Sequence, residues 1–165
     1  MTSKKRVVLI TGAESGIGKS TSKIFLDNGY KVICTYLKNN NNKNTKDIEY
    51  HRIDITKNKD WENLALYIKK KFKRIDVLVN SAGVRLSGNL ETTSMSDWSY
   101  HLNNNVTGTF LACKYILPFL KKAKNSSIIN VASINSIRGA KNMLAYATSK
   151  SAVISFTASL ALDLT

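Results

Sequence analysis

What most constrains this chain is a regular alternation of short apolar runs with longer amphipathic stretches. The runs 7–11, 32–36, 75–80 and 128–131 are rich in Val and Ile and nearly continuous in apolar character. Strands covered by helices on both faces of a parallel sheet read this way. A fifth run, 48–53, is more polar and suits an outer strand. Helical patterns fill the intervals. One spans 17–28 and closes at Gly29. A second, 61–72, sets Trp61, Leu64, Ala65, Ile68 and Phe72 on one stripe. A third is long, 96–122, with Ser96 read as its N-cap, Met95 as a staple before it, and Pro118 expected to kink it or end its regular part. The last covers 146–162. Strand–helix repetition implies an α/β architecture with right-handed crossovers. The segment 37–47, with its run Asn39-Asn40-Asn41-Asn42, reads as a loop. No repeat or linker divides the 165 residues, so residues 1–165 are expected to form one domain.

Charge and cysteine usage narrow the chemistry. Lys and Arg number 25 against 11 Asp and Glu, a formal net charge of +14 that favours anionic partners. The lysines are scattered, as a solvated surface would have them, and no basic stripe interleaved with aromatics accompanies them, which argues against nucleic acid as a partner. Cys34 and Cys113 lie far apart in apolar surroundings, which argues against a disulfide framework or a zinc site; no metal is expected. The apolar run after the basic start is only four residues long, and nothing approaches the ~18 residues of a membrane span. The expectation is a soluble, cytoplasmic protein that does not engage a membrane.

The strongest local signal is Thr11-Gly12-Ala13-Glu14-Ser15-Gly16-Ile17-Gly18, which leaves a strand and opens a helix. Gly12 suits a tight exit, Gly16 a close approach to a pyrophosphate, and Gly18 close packing of the helix. The helix N-terminus offers free N–H groups to phosphate. A rival reading takes residues 13–20 as a P-loop, with Lys19 and Ser20 in the phosphate and magnesium positions. Against it, Ala13 replaces the first glycine and no magnesium-binding Asp ends a later strand.

Further along, small residues follow an apolar run at Asn80-Ser81-Ala82-Gly83, leaving room for a ligand beyond the strand end. Asp54 closes the third strand, either facing that ligand or capping a helix. Ser133 follows the run 128–131, and Tyr146 stands four residues before Lys150, on one helical face. In this order, and with Asn105 in Asn105-Val106-Thr107-Gly108, the pieces resemble the short-chain dehydrogenase/reductase family over essentially the whole chain.

That resemblance implies a Rossmann-type, doubly wound parallel sheet of order 3-2-1-4-5 and NAD(P)-dependent interconversion of a carbonyl and an alcohol. Its cofactor site would draw on Gly12, Ser15, Gly16, Ile17, Gly18, Lys38, Asp54, Ile55, Asn80, Ala82 and Gly83, with Tyr146 and Lys150. Tyr146 would act as general acid and base. A phenol titrates ordinarily near pH ~10, and a neighbouring ammonium such as Lys150 stabilises the phenolate. Ser133 would bond the carbonyl oxygen, and Asn105 would hold a water linking Lys150 to solvent. The end of the second strand reads Tyr36-Leu37-Lys38, with no carboxylate to accept from a ribose 2′-hydroxyl and nothing to repel a 2′-phosphate, so NADP(H) is favoured over NAD(H). The substrate is expected to be a small carbonyl or alcohol lined by 84–90 and 134–138. Family members continue beyond the helix at 146–162 into further strands and a substrate-covering segment. The domain is therefore expected to be truncated, lacking the last strands, with 128–131 as an exposed edge. The alternative function is a non-catalytic dinucleotide-binding or oligomer-forming remnant, since 96–122 and 146–162 resemble the helices through which family members form homo-oligomers.

Overall fold

The computed structural model describes residues 5–38 and 43–164; the asparagine run falls on 39–42, outside them. Five strands, β1 (Val7–Thr11), β2 (Lys31–Tyr36), β3 (Ile48–Arg52), β4 (Val77–Asn80) and β5 (Ser127–Asn130), form one sheet in the order β3-β2-β1-β4-β5. Every neighbouring pair is parallel. The helices are α1 (Gly16–Asp27), α2 (Asn58–Lys71), α3 (Met95–His101), α4 (Gly108–Leu120), α5 (Asn135–Arg138) and α6 (Leu144–Asp163).

Alternation along β1 divides the core in two. Val7 and Leu9 pack with Trp61, Leu64, Ile68 and Phe72 of the α2 stripe and with Leu111 and Ile116 of α4. Val8 and Ile10 face the other side, against Phe25 and Leu26 of α1. All five residues of β1 are buried, as a central parallel strand requires. Helix α1 ends where Gly29 turns the chain (φ +79°): the Tyr30 N–H donates to the Phe25 carbonyl, and the two rings meet edge to face at 4.9 Å.

The run 128–131 forms the expected sheet edge: among the described residues β5 has a strand neighbour only through β4, and Ile129 is 46% exposed. Other expectations need correction. The N-cap of α3 is Ser94 rather than Ser96. Its Oγ accepts from the Asp97 N–H at 3.0 Å and donates to the Asp97 carboxylate at 2.7 Å. Met95, now the first helical residue, is 76% exposed and staples nothing. The long helix is also not continuous. Pro118 sits in the last turn of α4 without interrupting it, whereas Leu102–Thr107 winds as a π-helix between α3 and α4. There the Gly108 N–H reaches the Asn103 carbonyl, five residues back, and side chains serve other carbonyls: Asn104 bonds Tyr100 and Thr109 bonds Asn105, each at 2.8 Å.

Among the described residues no helix is long and apolar enough to cross a membrane, and no cluster of His, Cys, Asp or Glu could hold a metal ion. Both cysteines are buried and free.

Candidate active site

The register aligns Thr11 with Asn80 and Asn80 with Asn130, so three polar side chains mark the carboxyl ends of β1, β4 and β5. Thr11 Oγ1 accepts from the N–H groups of Ser81 (3.1 Å) and Ala82 (3.0 Å), tying the loop after β4 to the glycine turn. Gly12, at φ +65°, faces that loop so closely that a Cβ would lie 2.7 Å from the Ala82 Cα. A Cβ on Gly18 would collide with the Gly12 carbonyl, its carbon at 2.8 Å, so only glycine lets α1 start this close to the turn. A cleft of about 260 Å3 opens between the turn, the end of β2 and the loop after β4.

Of the expected residues, Gly12, Ser15, Gly16, Ile17, Ile55, Ala82 and Gly83 line this cleft. Ile17 is 61% exposed there, an apolar side chain held out at a helix start. Ser15 is the N-cap of α1 but makes no capping bond, and the first turn carries no acidic residue. The leading N–H groups and the positive end of the dipole therefore face the cleft. A Cβ on Gly16 would meet nothing within 4 Å, so the backbone is open to close approach. This cradle fits an anionic, phosphate-bearing group.

Three expected residues stand apart. Lys38 is exposed and lies beside the cleft rather than in its wall. Asp54 serves the entry to α2. Its Oδ1 accepts from the Thr56 N–H (2.9 Å) and hydroxyl (2.7 Å), and its own N–H donates to Asp60, while Ile53 and Ile55 on either side line the cleft. Asn80 turns away, donating to Asn130 Oδ1 at 2.8 Å and to Cys113 Sγ at 3.5 Å; Asn130 in turn donates to Thr157 on α6. The expectation that nothing at the end of β2 would repel a phosphate is also corrected. Glu14 lines the cleft and its carboxylate accepts from the Leu37 N–H at 3.5 Å.

A second constellation adjoins the cleft through Gly83. The Lys150 ammonium, 6% exposed, donates to the Val131 carbonyl just beyond β5 at 2.7 Å. Burial pushes its pKa below the ordinary lysine value. A Cβ on Gly83 would lie 3.4 Å from this Nζ and 3.0 Å from Asn105 Oδ1, so all three meet at one point. Asn105 is fully buried in the π segment. Its Oδ1 accepts from the Val84 N–H at 2.8 Å, and its Nδ2 donates to the Val84 carbonyl and to Ser149 Oγ. Its amide therefore bolts the loop after β4 to α6. Tyr146, half-buried, stands one turn before Lys150 with its ring 6.4 Å from that of His101. Ser133, half-buried two residues past Val131, has its Oγ accepting from the Asn135 N–H at 3.2 Å, and its hydroxyl proton has no acceptor among the described residues.

Sequence reasoning missed several contributors. Thr11 was within the motif, but only the register shows what its hydroxyl does. His101 is buried, its Nδ1 on the Asp97 carbonyl at 2.7 Å and its Nε2 accepting from the Leu86 N–H at 2.9 Å. Ser149 and Glu14 gave no signal beyond lying next to residues that did.

A family model described as short chain dehydrogenase matches residues 6–165. The chain is 36% identical over 162 residues to dehydrogenase/reductase SDR family member 6 of Aquarana catesbeiana, covering 96% of this chain and 64% of that protein. It is 37% identical over 164 residues to an uncharacterized oxidoreductase of Thermotoga maritima, covering 96% and 65%. The ligand-free structure of Thermoplasma acidophilum aldohexose dehydrogenase superposes with a TM-score of 0.90 at 34% identity, covering 97% of this chain and 62% of that one. The chain thus spans less than two thirds of the length of these relatives. Over that span the strand order and the glycine turn agree with a match that runs almost from end to end, and the chain belongs to the short-chain dehydrogenase/reductase family.

Proposed function

We propose that residues 1–165 form one dinucleotide-binding and catalytic unit of an NAD(P)-dependent oxidoreductase acting on a small carbonyl or alcohol. One observation carries the reading. A buried ammonium, Lys150, is fixed one helical turn from the phenol of Tyr146, at the rim of a cleft whose glycine turn fits a phosphate-bearing ligand. A bound nicotinamide dinucleotide supplies or takes up the hydride. Gly12, Ser15, Gly16, Ile17 and Gly18 would receive its phosphates, and Ile55, Ala82 and Gly83 would wall its rings. The exposed Lys38 and the net charge of +14 favour NADP(H).

Tyr146 would give its proton to the carbonyl oxygen as the hydride arrives, or take it back in the reverse direction. Lys150 would hold positive charge beneath the phenol oxygen, supporting the negative charge that develops there. The free hydroxyl proton of Ser133 would bond the substrate oxygen. Asn105 would keep Gly83 and Lys150 in register through its three bonds to Val84 and Ser149. Self-association is proposed through the face shared by α4 and α6, where Phe110 and Phe156 meet edge to face at 6.4 Å. The two buried free thiols fit a reducing compartment, and a cytoplasmic location is proposed on that ground.

The test is Tyr146→Phe. Fluorescence titration is expected to give NADPH affinity within about twofold of the parent, while carbonyl reduction falls by about 100-fold or more. Undiminished turnover would remove Tyr146 from the proton-transfer role.

A further inference from the structure

The end of β2 carries no carboxylate of its own, yet the fold delivers one there from a different element. Glu14 comes from the turn between β1 and α1 and reaches across the cleft to Leu37, the first residue past β2, where its Oε1 accepts from the backbone N–H at 3.5 Å. Its Oε2 is shielded from solvent and has no hydrogen-bond partner among the described residues. The side chain lines the cleft wall at this point, so its carboxylate sets a negative charge beside the end of β2. What that charge opposes is a second anion at the same place.

Resting on the dinucleotide reading above, we propose that Glu14 is a specificity-determining residue of this cleft: the charge of its carboxylate, held in the cleft wall beside the end of β2, opposes a 2′-phosphate there. The pocket then holds two opposed determinants. Lys38, exposed beside the cleft, attracts a phosphate; Glu14, inside it, holds that preference down. The net preference for NADP(H) is small, and it widens when Glu14 loses its charge.

The experiment is a pair of fluorescence titrations, NADPH and NADH, on the full chain and on Glu14→Gln. Glutamine keeps an Oε1 acceptor for the Leu37 N–H while removing the charge. NADPH affinity is expected to rise by about tenfold, the effect of removing one like charge from a half-open pocket, with NADH affinity unchanged or weakened by about threefold at most. Glu14→Ser is expected to move the ratio the same way. If the parent binds both dinucleotides and neither variant shifts their ratio, the role of Glu14 is overturned while the cleft's function stands. If the parent binds neither, the dinucleotide reading itself falls, and the inference with it.

Discussion

An ammonium that is 6% exposed and holds one carbonyl at 2.7 Å is an expensive residue to keep. Desolvation lowers the Lys150 pKa, so between that lowered value and the ordinary 10.5 the unfolded chain binds more protons than the folded one. Stability therefore rises with pH across that window. Below it, Lys150 is charged in both states and the burial cost is fully present. Lys150→Met is accordingly expected to raise Tm at pH 7 by about 2–4 °C, the shift that ~1 kcal/mol produces in a chain of this size. The advantage should shrink as pH climbs through the window, and a lower Tm for the variant at pH 7 would mean that the Val131 bond outweighs desolvation. The pairing of Tyr146 with Lys150 was legible because helical spacing alone sets i and i+4 on one face. Glu14 was not. Its reach to Leu37 crosses from the β1–α1 turn to the end of β2, a distance no local spacing encodes.

At the scale of elements, the α2 stripe was legible because Trp61, Leu64 and Ile68 follow the helical period without interruption and are all buried. The stretch from Met95 to Leu120 was harder, since three departures from simple periodicity meet there. Ser94 and Ser96 are both chemically fit to cap, and only the bond to Asp97 distinguishes them. The π segment follows from where the side chains of Asn104, Asn105 and Thr109 find partners, two of which, Val84 and Ser149, lie outside this stretch. Pro118 comes so near the end of α4 that it has little helix left to break. The cap assignment is testable by urea unfolding. Ser94→Ala is expected to cost about 1 kcal/mol, the typical worth of a serine N-cap, and Ser96→Ala less than about 0.5 kcal/mol. Equal losses would return the cap to an undecided pair.

For the molecule as a whole, the apolar runs announced how many strands there are and that helices cover them, but a run carries no information about which strand it will lie beside. The order β3-β2-β1-β4-β5 was legible only through the resemblance, and so was the place of β5 at a sheet edge, where Ile129 is 46% exposed. Charge behaves differently, because it is a property of the sum. Eleven carboxylates neutralise at most eleven of the 25 positive charges of Lys and Arg, so pairs such as Lys31–Asp47 and Lys71–Glu49 leave a net field of +14 whatever the fold. That field acts on every anionic ligand and is screened within about 10 Å at 0.1 M salt. NADPH carries one phosphate more than NADH, so its affinity should draw more on the field. Raising ionic strength from about 20 mM to about 300 mM is expected to weaken NADPH binding by about three- to tenfold and NADH binding by clearly less. Because Glu14→Gln removes an opposing charge inside the cleft, it should steepen the NADPH dependence further. Equal weakening of both dinucleotides would mean that the extra phosphate sits outside the reach of the net charge and that Lys38 does not read it.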